Sequence, residues 1–239
     1  MQALQAVSPE NYSGKHWKHP GNYSYAADLH YVPVVAGELL KAAAHLPLVF
    51  AKVTESFQLM AVMSLQPGTN LLVGPQGQWL GGYIPALLRG YPFTLLQSDK
   101  GEYTLFSTSE GEHIVAAGEG APYFDAQGKL SPETQKAVDY LTEVMRSRAQ
   151  TQRAVNALAA AGLIVPWQLA TNHNGETQTV EGLYRLDEAK LATLKPQQLV
   201  KLRDEGALPI AYAQLFAREH FGQLQRAAQE QERLRSTGA

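Results

Sequence analysis

The sequence predicts an α+β fold, with a β-rich N-terminal half that contains hairpins and a helix-rich C-terminal half packed on it. Short apolar runs of strand length alternate with turn residues between positions 48 and 116. After Gly128 the apolar residues recur every three or four positions, as they do along helices. Because the strands precede the helices and do not alternate with them, this order argues against a doubly wound sheet.

The region before the first hairpin predicts little regular structure. Asn, Ser, Gly, Pro and Tyr dominate residues 1–27 and no apolar period holds there, so the segment is predicted to be an irregular, exposed arm. Residues 34–44 form a short predicted helix, and Pro47 follows at the point where that helix is expected to stop.

Strands in the N-terminal half are predicted from runs rich in Val, Leu, Met and Phe. Asp99-Lys100-Gly101, between two of these runs, is a hairpin signature. Pro85 begins a predicted helical turn at residues 84–88, where its missing N–H costs little. The predicted strands occupy residues 48–53, 58–66, 70–73, 93–98, 102–108 and 114–116.

Helix signals dominate the C-terminal half. Ser131 as N-cap and Pro132 at the first helical position predict the start of a helix that either runs to Leu158 or breaks near Ser147. Asp187 predicts the cap of a later helix. The other predicted elements are strands at 163–170 and 177–186 around a turn at 172–175, and helices at 187–194, 196–204 and 210–234.

The domain organisation that follows is one interwoven domain at residues 25–225. An N-terminal arm at 1–24 precedes it and a polar helical tail at 226–239 follows it. The alternative is a split into two domains near residue 130, where the strand signals give way to helix signals.

Composition excludes several classes of function. The formal net charge of −2 argues against a general electrostatic grip on nucleic acid. The absence of cysteine excludes disulfides and thiolate metal sites. No apolar run reaches the length of a membrane span, and the N-terminus lacks the pattern of a secretory signal. The expected protein is therefore soluble and cytoplasmic.

No complete catalytic, metal or phosphate motif is present. His16 and His19, with His30 further on, are the strongest metal pattern, but Trp17 and Pro20 favour a loop in which their spacing carries little geometry. The chain has no G-x-S-x-G elbow and no G-x-x-x-x-G-K-[ST] loop. We therefore predict no metal site and no cofactor. His113 lies in a polar turn and is predicted to be at the surface.

One cation stands out within the apolar stretch GGYIPALLRGYPF. Arg89 is surrounded in sequence by aromatic residues, on which a guanidinium stacks well, and it could anchor an anionic ligand. The favoured interpretation is a structural arginine that reaches the surface or pairs with Glu55, Glu119 or Asp125. The candidate binding residues are Trp79, Tyr83, Arg89, Tyr91 and Asp125.

The same stretch carries a family resemblance. Tyr83-Ile84-Pro85-Ala86-Leu87-Leu88-Arg89 and Tyr91-Pro92-Phe93, with similar motifs before and after them, resemble the bacterial SapC family over residues 25–225. Leu72 and Tyr123 replace expected Phe and Leu, which are apolar exchanges. The other motifs are at residues 70–73, 76–79, 123–128, 181–187 and 206–215.

The resemblance implies a pathway and no reaction, cofactor or catalytic residue. The family is named after a gene linked to surface-layer protein export, and its members resemble soluble proteins encoded near tryptophan-halogenase-like flavoproteins and TonB-dependent receptors. We expect a non-catalytic accessory or binding protein of a bacterial surface, export or nutrient-uptake pathway, which recognises a peptide or a partner enzyme such as that flavoprotein.

Two alternatives stay open at this point. The first is an enzyme in which Arg89 holds an anionic substrate group beside Asp125 or Glu119. The second is a homodimer built through the last helix, which offers Leu215, Phe216 and Leu224 as shared apolar groups.

Overall fold

The computed structural model of the chain describes residues 3–98, 100–173 and 176–236. It contains 40% helix and 23% strand, with the strands mostly in the N-terminal half and the helices mostly in the C-terminal half, which confirms the α+β prediction. Parts of three predicted features lie outside the described residues: positions 1, 2 and 237–239 of the termini, Asp99 of one turn, and Asn174-Gly175 of another.

The elements follow one another in short steps along the chain. The strands are β1 (Leu4–Ala6), β2 (His16–Trp17), β3 (Tyr31–Pro33), β4 (Leu48–Val53), β5 (Ser56–Val62), β6 (Phe93–Gln97), β7 (Tyr103–Thr108), β8 (Ile114–Val115), β9 (Ala121–Pro122), β10 (Ile164–Pro166), β11 (Leu169–His173), β12 (Glu176–Val180) and β13 (Leu183–Leu186). The α-helices are α1 (Pro9–Tyr12), α2 (Leu39–His45), α3 (Ala86–Arg89), α4 (Pro132–Ala160), α5 (Glu188–Ala192), α6 (Pro196–Asp204), α7 (Ala207–Ala217) and α8 (Phe221–Ser236), and 3-10 turns occupy Ser24–Ala26, Ala36–Glu38 and Arg218–His220.

The chain divides into two compact units. Unit 1 holds the described residues of Met1–Asn22 and Ala86–Arg146, and unit 2 holds those of Tyr23–Pro85 and Ser147–Ala239. Each unit is therefore formed from two separate chain segments. The predicted domain boundaries at residues 24 and 225 stay a prediction.

Unit 1 contains two small antiparallel sheets, ordered β1-β7-β6 and β8-β2-β9. The predicted irregular arm is corrected here, because Leu4–Ala6 pairs with β7 and His16–Trp17 pairs with β8 and β9. Tyr12 between them is fully buried and its ring lies 4.5 Å from that of Tyr123. Backbone pairing and aromatic burial, which leave no apolar period in the sequence, hold this segment in unit 1.

The long helix α4 begins as the sequence predicts. The hydroxyl of Ser131 accepts a hydrogen bond from the backbone N–H of Thr134 at 3.1 Å, which satisfies one of the free amides of the first turn. The helix continues past Ser147 to Ala160, so the longer of the two predicted forms is the observed one.

Unit 2 is built on a five-stranded antiparallel sheet, ordered β10-β13-β4-β5-β3. The central β4–β5 hairpin confirms the predicted pair of strands, although β5 begins earlier, at Ser56. One face of this sheet packs against α8, with Val49, Met60, Phe221 and Leu224 buried in one core cluster. Among the described residues, no helix is both long and apolar enough to cross a membrane.

The predicted strand at 70–73 is wrong. Of these residues, Val73 alone makes a β-bridge, and its partner is Trp79. The side chain of Asn70 explains the difference, because its Oδ1 accepts a hydrogen bond from the N–H of Leu72 at 2.9 Å and its amide donates to the carbonyl of Ala26 at 3.0 Å. Asn70 therefore organises a turn where the apolar run favoured a strand.

The prediction of one last helix at 210–234 is also wrong. Helix α7 begins earlier, directly after Gly206, and a 3-10 turn at Arg218–His220 separates it from α8. Within this turn, the Nε2 of His220 donates a hydrogen bond to the carbonyl of Ala43 at 3.0 Å. This contact with the end of α2 ties down the interruption between the two helices.

Candidate recognition site

Trp79 is held in unit 2 by a short β-turn loop. The backbone N–H of Gly74 donates to the carbonyl of Gln78 at 2.9 Å, and the N–H of Leu80 donates to the carbonyl of Leu72 at 2.8 Å. These bonds close the loop on both sides of the bridge between Val73 and Trp79. The indole is therefore carried by a loop with a defined backbone.

The Trp79 ring is fixed by its neighbours. Its indole N–H donates a hydrogen bond to the backbone carbonyl of Tyr83 at 3.0 Å. The ring of Tyr23 meets it edge-on at 5.5 Å and the ring of Tyr25 at 5.9 Å. A Cβ atom at Gly81 would lie 2.9 Å from the indole nitrogen, so this close approach requires glycine.

Leu80 lies next to these half-buried rings and is 57% exposed. We call Tyr23, Tyr25, Trp79 and Leu80 the Trp79 surface. Three aromatic rings that are positioned beside an exposed aliphatic side chain are typical of residues that anchor protein partners. The sequence analysis named Trp79 and missed the other three residues, which are not marked by any motif.

Tyr83 joins this loop to a buried carboxylate. Its hydroxyl donates a hydrogen bond to Oε2 of Glu38 at 2.9 Å, and Oε1 of Glu38 accepts from the backbone N–H of Val35 at 3.1 Å. Glu38 is only 5% exposed. Its position three residues after Val35 is the sequence signal for the backbone contact, because an acid at that position can reach back to the helix start.

The other three predicted binding residues lie in unit 1, and each has different printed neighbours. Arg89 ends α3, is exposed, and places its guanidinium over the ring of Tyr140 at 5.6 Å from the ring centre. The hydroxyl of Tyr140 donates to the carbonyl of Ala86 at 2.9 Å, so the same tyrosine contacts both ends of this helical turn.

Asp125 organises its own turn. Its Oδ1 accepts hydrogen bonds from the backbone N–H groups of Gln127 and Lys129, each at 2.9 Å. Phe124 and Leu130 form a β-bridge around the same turn. Within the described residues Asp125 forms no ion pair, so the structure does not bring its carboxylate together with Arg89.

Tyr91 packs against a histidine that the sequence analysis placed at the surface. His113 is fully buried, which corrects that prediction, and the Tyr91 ring meets it edge-on at 5.7 Å. The Nε2–H of His113 donates to the carbonyl of Thr108 at 3.1 Å, while its Nδ1 is buried with no hydrogen-bond partner among the described residues. Burial lowers the pKa of His113 and favours the neutral ring.

A buried tyrosine pair lies close to this histidine in the sequence of contacts. The hydroxyls of Tyr123 and Ser107 are 3.2 Å apart, and the hydroxyl of Tyr12 donates to the backbone carbonyl of Ser107 at 3.2 Å. Burial raises the pKa of Tyr123 to about 12. The Tyr123 phenol is therefore protonated at neutral pH, which suits a structural hydrogen bond and not a general base.

A shallow cleft in unit 2 offers less than the Trp79 surface. It encloses about 240 Å³, below the roughly 300–1,000 Å³ of typical ligand pockets. Two of its polar side chains are already used by the fold, because Thr151 accepts from the N–H of Ala36 at 2.7 Å and Gln152 donates to the carbonyl of Phe57 at 2.9 Å. The lining residues are Pro33, Val34, Gln58, Leu59, Arg148, Thr151, Gln152 and Val155.

The histidines of the metal pattern have separate surroundings. His16 lies in β2, His19 places its Nδ1 2.7 Å from the carbonyl of Pro20, and the ring of His30 packs edge-on against Tyr31. In the part of the chain that the structure describes, no three histidine or carboxylate side chains form a group that could hold a metal ion.

Comparison with known proteins identifies the family. The family model of SapC matches residues 7–224 of the 239. Nothing matches among the curated proteins or among the solved structures. Since the family match includes the Trp79 loop, Arg89, the Asp125 turn and most of both compact units, this chain belongs to the SapC family.

Proposed function

We propose that this chain is a non-catalytic accessory protein that binds a peptide segment of a protein partner through the Trp79 surface. The observation that supports the proposal most is the fixed indole of Trp79 beside the 57% exposed side chain of Leu80. Aromatic anchors with neighbouring apolar groups commonly supply most of the free energy of binding at protein interfaces.

Preorganisation favours recognition at this surface. The indole hydrogen bond to Tyr83 and the edge contact with Tyr23 restrict the rotation of Trp79 before any partner binds. A side chain that is already ordered loses less conformational entropy on binding, so a larger part of the contact energy appears as affinity.

The pathway in the proposal comes from the family. The SapC name refers to surface-layer export, so we propose that the partner acts in a bacterial surface, export or nutrient-uptake pathway. A tryptophan-halogenase-like flavoprotein is one such partner, and an extended segment of that protein would supply apolar side chains to meet Trp79 and Leu80.

The enzymatic alternative, in which Arg89 holds an anionic substrate group, has less support. It requires a carboxylate beside the guanidinium, and Asp125 instead accepts two backbone hydrogen bonds in its own turn. Glu119, the second candidate, forms no ion pair within the described residues.

The proposal is tested with peptides selected on the intact protein. A random peptide library displayed on phage is selected against the wild-type chain, and the affinity of the selected peptides is measured by fluorescence polarisation. Leu80→Asp and Trp79→Ala are each expected to weaken binding by about tenfold or more, because truncation of an anchor costs at least about 1.4 kcal/mol.

Leu96→Asp is the matched control. Leu96 is 44% exposed, similar to Leu80, but lies at the edge of β6 in unit 1. The proposal predicts that this variant binds the selected peptides as the wild type does. Failure to select any peptide, or equal affinities for wild type and Leu80→Asp, would contradict it.

A further inference from the structure

A second apolar surface lies on two helices of unit 2 that pack against each other, α2 and α7. Leu40 on α2 is 86% exposed, and Phe216 and Tyr212 on α7 are 72% and 49% exposed. We call these three residues the α7 face. Single exposed apolar residues are ordinary, but three large ones on adjacent helices form a patch of the kind that marks an interface.

The spacing along α7 gives this face its shape. Tyr212 and Phe216 are four residues apart and so lie on one side of the helix, and Pro209 precedes them by three. Ala213 lies within this group and is 7% exposed. Residues at these four positions form a hole with one small corner, which can accept an aromatic side chain from a facing helix.

The size of the face indicates a moderate interface. An aromatic side chain offers ~150–250 Å² on full burial, so the exposed fractions of Phe216 and Tyr212 together correspond to roughly 180–300 Å². Leu40 brings the apolar area to on the order of 400 Å². A stable complex buries about 800 Å² on each partner, so the apolar centre would supply about half.

The charges on and around α7 are compatible with a second copy of the same chain. The helix has no charged residue over its whole length, ALPIAYAQLFA. Near its two ends, Arg203 is paired with Asp204 at 2.9 Å and Arg218 with Glu188 at 3.5 Å. Two such faces can therefore meet without opposing unpaired like charges, which would disfavour self-association.

We infer that the α7 face is the contact of a two-fold symmetric homodimer, in which Tyr212 and Phe216 of each chain pack over Ala213 of the other. This places the contact differently from the interface expected from the sequence. Leu224, which was expected to be shared between chains, is only 5% exposed and belongs to the core of unit 2.

Sedimentation velocity over a range of micromolar concentrations tests the inference on the full chain. The wild type is expected to shift from monomer to dimer as the concentration rises, and Phe216→Asp should weaken dimerisation by about tenfold or more. Leu96→Asp, an equally polar change at an exposed site outside the face, should dimerise as the wild type does. A wild type that stays monomeric, or one that forms larger oligomers, would overturn the inference.

Cross-linking supplies a second measurement that does not depend on an acidic substitution. The natural chain has no cysteine, so a single introduced cysteine reports its own surroundings. Tyr212→Cys, at the centre of the face, is expected to form a disulfide-linked dimer under mild oxidation much faster than Leu96→Cys. Equal rates for the two variants would exclude a symmetric contact at α7.

Discussion

The hydroxyl of Tyr83 donates a hydrogen bond to the buried carboxylate of Glu38 across 2.9 Å. Tyr83→Phe removes this bond and keeps the ring, so the carboxylate loses a donor in a site that water reaches poorly. Hydrogen bonds to charged groups contribute about 1.5–3 kcal/mol, and we expect the free energy of unfolding in urea to fall by about that amount. Tyr103→Phe is the control, since Tyr103 is 46% exposed, and it should change stability by less than about 0.5 kcal/mol. Equal stability of the two variants would refute a structural role for this contact.

Gln214 bridges the two strands at the point where their ladder ends. The β13–β4 pairing stops at Tyr184 opposite Phe50, and beyond it the buried amide of Gln214 accepts from the N–H of Leu186 at 3.0 Å and donates to the carbonyl of Leu48 at 3.2 Å. Gln214→Met leaves both buried backbone groups without these partners. Since each unsatisfied group costs about 1–3 kcal/mol, we expect a loss of about 2–5 kcal/mol in urea denaturation.

The control for this prediction is Gln197→Met in α6. Gln197 is exposed, so the same exchange there should change the free energy of unfolding by less than about 0.5 kcal/mol. A loss of stability at position 214 no larger than at position 197 would show that the strands do not depend on the bridging amide.

The buried histidine predicts a pH dependence of stability. Burial lowers the pKa of His113 in the folded chain, whereas an unfolded histidine titrates near 6.5. Between the two pKa values the unfolded state holds a proton that the folded state does not. The free energy of unfolding therefore falls as the pH falls below about 6.5, by at most about 1.4 kcal/mol per pH unit for one histidine.

His113→Gln should flatten this dependence, because glutamine can donate to the Thr108 carbonyl but does not titrate. Some slope should remain, since burial also lowers the pKa of His30. Chemical denaturation of the wild type, His113→Gln and the exposed control His45→Gln at several pH values between 5 and 8 checks the prediction. It fails if His113→Gln and His45→Gln retain the same slope.

Local signals in the sequence were sufficient for much of the fold. The β4–β5 hairpin and the start of α4 at Ser131 and Pro132 follow from turn and cap residues close by in the chain, and both were predicted. The break after α7 was missed because it depends on a contact between His220 and Ala43, which are far apart in the sequence. Propensity and periodicity do not report such contacts.

The candidate site shows the same division. Trp79 and Tyr83 are four residues apart and were correctly expected to be close neighbours, and a hydrogen bond of 3.0 Å joins them. Glu38 was missed because it comes from a distant element of unit 2. Asp125 illustrates the opposite error, since its carboxylate looked available in the sequence but accepts hydrogen bonds within its own turn.

The measurement that tests the proposed recognition site most directly is a ¹H–¹⁵N correlation spectrum of the indole N–H groups. The chain has three tryptophans, Trp17, Trp79 and Trp167, so the Trp79 signal can be assigned from its loss in Trp79→Phe. When a peptide selected on the wild type is added, our account predicts that the Trp79 signal shifts or broadens while the other two stay in place. A peptide that binds and leaves the Trp79 signal unchanged would contradict recognition at the Trp79 surface.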